Sequence, residues 1–418
     1  DLFAVFMERA LGLCAKHGLM AMINMQSWMF LSSYEKLRVK LLSDAMILSM
    51  AHLGERAFDS IGGAVVSTTA FVIENAHSLN HEGTFIRLVD GASEAEKEAQ
   101  LKEAIQNPNC GWFYRAAAED FEKIPGSPIA YWVSKNVLKA YAVGTPLNQI
   151  SKPVVGLQTG ENARFVREWH EVSSSRFLPN CQSINDAKSS DAKWFPYNKG
   201  GEFRRWYGNQ ENVVNWQNDG DEIKNFTDVD GKLRSRPQNT NFFFRPSVSW
   251  SKISSGLPAF RFFPSGFVFD VAGTSIFTDE EGYRFGLTGL CNSKAVVEIL
   301  AATSPTLNFE VGHIAAIPVI SWSTRDQEVA KAAVVLSKAD WDACETSWDF
   351  TTLPLLSLDR RDETLSTSYT NLRAHWQGMT DEMQRLEEEN NRIFIDAYGL
   401  ADELTPEVPI EEITLTCN

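Results

Sequence analysis

The sequence predicts an α/β fold: the second half of an open α/β sheet, then a mixed α+β segment of short elements, then a helical C-terminal region. Three observations predict it. Up to residue 145, apolar stretches follow one another as helix, strand, helix, strand, strand. Pro146 and Pro153 bracket a change of texture, beyond which Gly, Asn, Ser and aromatic residues dominate. The final segment returns to helical spacing, clearest over 380–398, where Met383, Leu386, Ile393 and Ala397 fall on or near one face. The expected divisions are 1–145, 150–320 and 321–418.

Taken in order, residues 2–14 place Leu2, Phe6, Ala10 and Leu13 on one helical face, with Gly18 as a stop. The short apolar run LMAMINM (19–25) reads as a buried strand. Ser32 and Glu35 form a capping-box pattern that opens a helix over 33–42. Residues 45–53 read as another strand. After a Gly62–Gly63 turn, 64–75 is rich in β-branched residues and reads as a third, with 83–90 as its neighbour. Residues 93–106 make a polar helix with a solvated face, 111–121 an extended segment, and 129–143 a helix. Beyond the boundary, 242–245, 250–252 and 260–277 read as short strands joined by Gly and Pro turns. Residues 287–300 read as a helix with Asn292 or Ser293 as local caps.

Composition bounds the function classes. A 44% hydrophobic, 22% charged chain of 418 residues is ordinary globular material, enough for two or three domains. The net charge of −15 argues against a polyanionic partner until its location is considered. Eleven acids against two arginines between Asp381 and Glu412 supply −9 of it, and binding responds to the local field of a cleft. That acidic run reads as a solvated helix face. Six scattered cysteines without a close pair read as reduced thiols, with a cytoplasmic location. His77 and His81 lack companions at metal-ligand spacing. No apolar run approaches the roughly 18 residues that a membrane span needs.

One stretch stands out. Between Lys193 and Trp216, the rings of Trp194, Phe195, Tyr197, Phe203, Trp206, Tyr207 and Trp216 are interleaved with Lys193, Lys199, Arg204 and Arg205 around Gly200–Gly201. Aromatics among cations suit a surface that meets bases and phosphates. A buried aromatic cluster with solvated charges is the competing reading. Trp194 and Trp216 are the rings most suited to a core.

Several pieces resemble one family. NMQSWMFLSSYEKLR (24–38), GGAVVSTTAFVIEN (62–75), GLQTGENARFVREW (156–169), KWFPYNKGGEFRRWYGN (193–209), SWSKISSG (249–256), FDVAGTSIF (269–277) and NRIFIDAYGLADELTPEVP (391–409) resemble the adenine-specific DNA methyltransferases of BREX phage-defence systems, the PglX family. The resemblance covers nearly the whole chain in order. PTLNFEVGHI (305–314) carries a pattern shared more widely among recognition domains of restriction–modification enzymes. The resemblance implies that 1–145 is the second half of a Rossmann-like, S-adenosylmethionine-dependent methyltransferase domain. It implies a DNA target-recognition domain over 150–320 and a helical region after it. The family's Gly-rich cofactor loop and its Asn/Asp-Pro-Pro-aromatic catalytic motif are missing from these residues. The chain is therefore expected to begin after the catalytic strand and to be inactive alone.

Methylating an adenine amine within a duplex requires flipping the base out of the stack. The resemblance implies that Phe71 lines the flipped-base pocket, with Thr68 and Thr69 beside it. A plain core phenylalanine is the alternative. Asn24, Gln26, Ser27 and Trp28 follow the strand end at 25, where ligands of open α/β sheets sit. Lys199, Arg204, Arg205, Lys252 and Arg261 are the candidate contacts to double-stranded DNA, with Asn198, Asn209, Gln210 and Asn241 as further candidates for reading adenine edges. The cofactor implied is S-adenosyl-L-methionine, and other BREX proteins are implied partners. A fused restriction–modification enzyme and a non-enzymatic DNA-specificity module are the alternatives. The half-sheet at 1–145 argues against the second.

Overall fold

The computed structural model describes residues 1–418 apart from 62–65, 255, 304–307, 322 and 418, and the side chain of residue 302. The Gly62–Gly63 turn, the start of the strand expected over 64–75, and Pro305 to Leu307 of the PTLNF pattern lie outside the described residues. The chain divides into two compact units, Asp1–Ala142 and Val143–Asn418.

The first unit is built on a five-stranded sheet ordered β1 (Leu19–Met25), β3 (Thr68–Glu74), β2 (Met46–Gly54), β4 (Glu82–Arg87), β5 (Phe113–Ala117). β3 runs antiparallel to both β1 and β2, and β4 runs parallel to β2. The carboxyl ends of β1, β2 and β4 therefore share one edge of the sheet. The expected pairing of 64–75 with 83–90 is not formed, because β3 lies between β1 and β2. Thr69, Phe71 and Ile73 fill one of its faces and are all buried, which a central strand requires.

Helix α1 (Leu2–Leu13) forms where expected but turns a different face inward. Met7 is fully buried, and Phe3, Ala10, Leu11 and Cys14 pack around it, while Leu2, Phe6 and Leu13 stay exposed. Two apolar stripes compete on this helix, and the spacing alone does not choose between them. Helix α2 (Glu35–Asp44) lacks the expected capping box: Ser32–Tyr34 form a tight 3-10 turn, and no side chain caps the helix. Helix α3 (Glu94–Gln106) is capped by Ser93 Oγ, which accepts from the Glu96 amide at 3.3 Å. One of its lysines is not solvated: Lys97 is buried and donates to the carbonyls of Leu53 and Leu88 at 2.8 and 2.6 Å. The helix expected over 129–143 is confined to Lys135–Val143, because Ile129 and Tyr131 enter the core and the chain turns between Ala130 and Val133.

The second unit carries two four-stranded sheets. One is ordered Val268–Phe269, Trp194–Asn198, Asn212–Asn215, Val166–Glu168, and the other Phe260–Phe263, Ser247–Trp250, Ser275–Phe277, Lys152–Val154. Helices Glu281–Asn292, Thr324–Asp342 and Leu365–Tyr398 pack on Trp206, Tyr207 and Phe262. The helix expected over 287–300 breaks at Ser293. Asn292 turns its amide onto both backbone groups of Phe260, each at 2.9 Å. Ser293 Oγ caps the following helix through the Val296 amide at 3.3 Å. No helix among the described residues is long and apolar enough to cross a membrane.

Candidate functional site

In the first unit, strand register aligns three polar residues at the shared carboxyl edge. Asn24 on β1 pairs with Thr69 on β3, and Thr69 pairs with His52 on β2. Immediately after β1, Gln26–Met29 form a 3-10 turn. Arg38 on α2 pins it: the buried guanidinium donates to the carbonyls of Trp28 and Leu31 at 2.9 and 2.8 Å, and to those of Gly126 and Ser127 at 2.7 and 3.1 Å. Burial pushes this guanidinium down to about 10, where it keeps its proton.

The site is polar and incompletely paired. Both amide atoms of Asn24, the Thr68 hydroxyl and the Trp28 indole N–H are buried without a hydrogen-bond partner among the described residues. Native interiors hold few such groups, and each asks for an explanation. Phe71 packs edge-on to Trp28 at 5.2 Å between ring centroids, and both rings are buried. Thr69 is fully buried and donates to the Ala51 carbonyl at 3.3 Å. Of the four candidate base-pocket residues, Asn24, Gln26 and Thr69 lie at this edge, while Phe71 sits mid-strand opposite Met22 and Met50 with its ring against Trp28. The sequence reading missed His52 and Tyr131 beside them. His52 Nε2 lies 2.7 Å from Gln26 Oε1, and its Nδ1 lies 2.9 Å from the Tyr131 hydroxyl. Its position at the end of the 45–53 strand is the signal that singled out Asn24, and the same rule points to it.

In the second unit, three of the five candidate DNA contacts are interior residues. Arg204 donates to Asp340 Oδ2 at 2.8 Å, Thr416 Oγ1 at 2.9 Å and the Tyr207 carbonyl at 2.7 Å. Arg205 pairs with buried Glu387 at 2.8 Å. Burial raises the Glu387 carboxyl, opposed by Arg205 and the Trp206 indole N–H. Arg261 is fully buried and donates to the Arg204 carbonyl at 3.1 Å and Ser251 Oγ at 3.0 Å. Their donors point at protein, which corrects the expectation that they face DNA. Glu387 likewise corrects the reading of the acidic run as wholly solvated. Lys199 and Lys252 remain partly exposed, 3.8 Å from Asp270 and 3.0 Å from Glu310.

The adenine-edge candidates divide the same way. Asn198 is buried and donates to Ser249 Oγ at 2.6 Å, and Gln210 is buried. Asn241 is exposed, and Asn209 is half-buried with its amide on the Glu202 carbonyl at 2.9 Å. Trp216 is a core ring, whereas Trp194 is half-buried beneath Lys193 and Arg167. Gly200 and Gly201 do shape the chain: both have positive φ, and a Cβ on Gly200 would lie 2.9 Å from the Ala272 carbonyl. Cations that the sequence reading passed over stand free instead. Lys232 and Arg236 are exposed, with no ion partner among the described residues.

Comparison with known proteins gives three findings. The Eco57I restriction-modification methylase family matches residues 1–58. The chain is 41% identical, over 99% of its length, to the adenine-specific methyltransferase PglX of Lacticaseibacillus casei (strain Zhang). It is 37% identical, over its whole length, to the adenine-specific methyltransferase BrxX of Escherichia coli O9:H4 (strain HS). It spans 35% and 33% of those two proteins, about a third of their length. The Type IIL restriction-modification enzyme MmeI in complex with DNA matches 97% of this chain and 53% of its own, at 13% identity and a TM-score of 0.48. The resemblance to PglX seen in the sequence pieces thus extends from one end of the chain to the other.

Proposed function

Because the chain is related along its whole length to the PglX and BrxX adenine-specific methyltransferases, we propose that it is the base-pocket and target-recognition portion of a site-specific DNA adenine methyltransferase of a BREX phage-defence system. That end-to-end alignment carries the proposal. In this reading the first unit supplies part of the methyltransferase domain, residues 150–320 recognise double-stranded DNA, and 321–418 form a helical region that packs on Trp206, Tyr207 and Phe262. The enzyme works in the cytoplasm beside other BREX proteins.

The methyl donor is S-adenosylmethionine. Bound to the full-length protein, it would supply an activated methyl group for the exocyclic amine of adenine, leaving as the neutral thioether. The residues present do not fit the methionine end of that donor, since no Gly-rich loop occurs among them, and no step is assigned to them there. Their part is the base. Asn24, Gln26, Thr69 and Phe71 stand where a flipped adenine would enter, and the unpaired amide of Asn24 supports this reading. Lys199 and Lys252 are the DNA contacts retained.

The test is methyl transfer from labelled S-adenosylmethionine to DNA by this chain and by a full-length protein containing it. The full-length protein is expected to label adenine at one sequence context, and the 418 residues alone are expected to label nothing. A full-length protein that binds S-adenosylmethionine yet methylates no adenine would overturn the proposal.

A further inference from the structure

The His52 contacts settle a hydrogen-bond polarity. The Tyr131 hydroxyl is buried, and no acceptor other than His52 Nδ1 meets it among the described residues. A buried hydroxyl proton without an acceptor is costly, so Tyr131 donates and Nδ1 accepts. A neutral imidazole then carries its proton on Nε2, and Nε2–H donates to Gln26 Oε1 at 2.7 Å. Burial first, then the charges of Arg87 and Lys97, hold His52 neutral. The ring cannot turn freely, because it stacks on Trp132 at 6.1 Å between centroids and lies edge-on to Tyr131. The oxygen end of Gln26 is therefore engaged, and its NH2 end is left facing away from the relay at the carboxyl edge of β1.

We infer that Tyr131 and His52 are positioning residues that set Gln26 as a hydrogen-bond donor, its NH2 directed at an unprotonated ring nitrogen of an extrahelical purine. The inference rests on the base-pocket reading of Gln26. A free glutamine amide pairs with both the amine and a ring nitrogen of adenine. With Oε1 held by His52, the donor half of that pairing is favoured, and the exocyclic amine stays available to react. Arg38 complements the relay, fixing the backbone of the same turn while His52 fixes the side chain.

Two measurements test this. In the full-length protein, kcat and KM for DNA methylation are compared for Gln26→Ala, Gln26→Glu and Tyr131→Phe. Tyr131→Phe keeps the ring stacked on Phe85 at 4.7 Å and removes only the hydroxyl. One good base contact is worth roughly tenfold or more. Gln26→Ala is therefore expected to lose about tenfold in kcat/KM, Gln26→Glu clearly more because it presents an acceptor, and Tyr131→Phe several-fold with a modestly lowered thermal midpoint, since His52 Nδ1 loses its donor. In this chain, nitrogen-15 spectroscopy of the histidine rings, assigned with His52→Gln, is expected to show His52 protonated on Nε2. Gln26→Ala at the wild-type rate overturns the base-pocket reading together with the inference. An impaired Gln26→Ala with Gln26→Glu or Tyr131→Phe at the wild-type rate, or His52 protonated on Nδ1, overturns the inference and leaves the pocket reading standing.

Discussion

Arg204 meets Asp340 at 2.8 Å with both side chains buried, joining the aromatic–basic stretch to the helix Thr324–Asp342. Asp340 also accepts from the backbone amides of Thr416 and Cys417 at 2.7 and 3.1 Å. The pair thus ties the final residues to the core of the second unit. Removing one partner of a buried pair leaves an uncompensated charge and costs about 3–5 kcal/mol. Arg204→Ala is expected to lower the unfolding free energy by that amount, read by urea denaturation. DNA affinity measured below the transition should keep its salt slope. A variant of wild-type stability with a flatter slope would return Arg204 to the DNA surface.

Lys199 and Lys252 should behave in the opposite way. Their partners are partly exposed or weakly engaged, at 3.8 and 3.0 Å, and surface pairs contribute about 0–1 kcal/mol. Lys199→Ala with Lys252→Ala is expected to leave stability unchanged and to reduce the slope of log K against log salt by roughly one for each phosphate that is no longer neutralised. An unchanged slope removes both from the interface, and Lys232 and Arg236 become the cations to examine.

Phe71 separates packing from recognition. The ring is 2% exposed within the first unit's core, so Phe71→Ala is expected to cost about 3–5 kcal/mol. Phe71→Leu leaves a smaller cavity and should cost less than Phe71→Ala. If the ring also stacks on a base, Phe71→Leu loses roughly tenfold in kcat/KM for methylation. Wild-type kinetics for that variant would make Phe71 a core residue alone.

His52 predicts a pH dependence. Its pKa is lowered from 6.5 to about 3, by burial first and then by Arg87 and Lys97. Above pH 6.5 the folded and unfolded states are both neutral at this site, and its contribution to stability is complete. As the pH falls, the unfolded chain takes up a proton that the folded one refuses, so stability is lost between 6.5 and about 3. The site should contribute a loss of about 2 kcal/mol between pH 7 and pH 5. Denaturant titrations at both values check this, and His52→Gln with an undiminished pH effect would assign the loss elsewhere.

The sequence by itself determined the α/β opening half, the short mixed elements after 150, the terminal helices and the resemblance to the PglX methyltransferases. Periodicity, turn residues and extended motifs are local or linear signals, and they survive without coordinates. Strand ends were legible too, which is why Asn24 and Gln26 were placed at the end of β1. Tertiary structure alone decided which of two apolar stripes on α1 turns inward, since burial depends on what the helix meets. It placed β3 between β1 and β2, aligning Asn24, Thr69 and His52 across three strands distant in the chain. It also reversed the reading of Arg204 and Arg205. A guanidinium beside aromatic rings looks alike in sequence whether it faces phosphate or carboxylate, and their carboxylates, Asp340 and Glu387, lie 136 and 182 residues away.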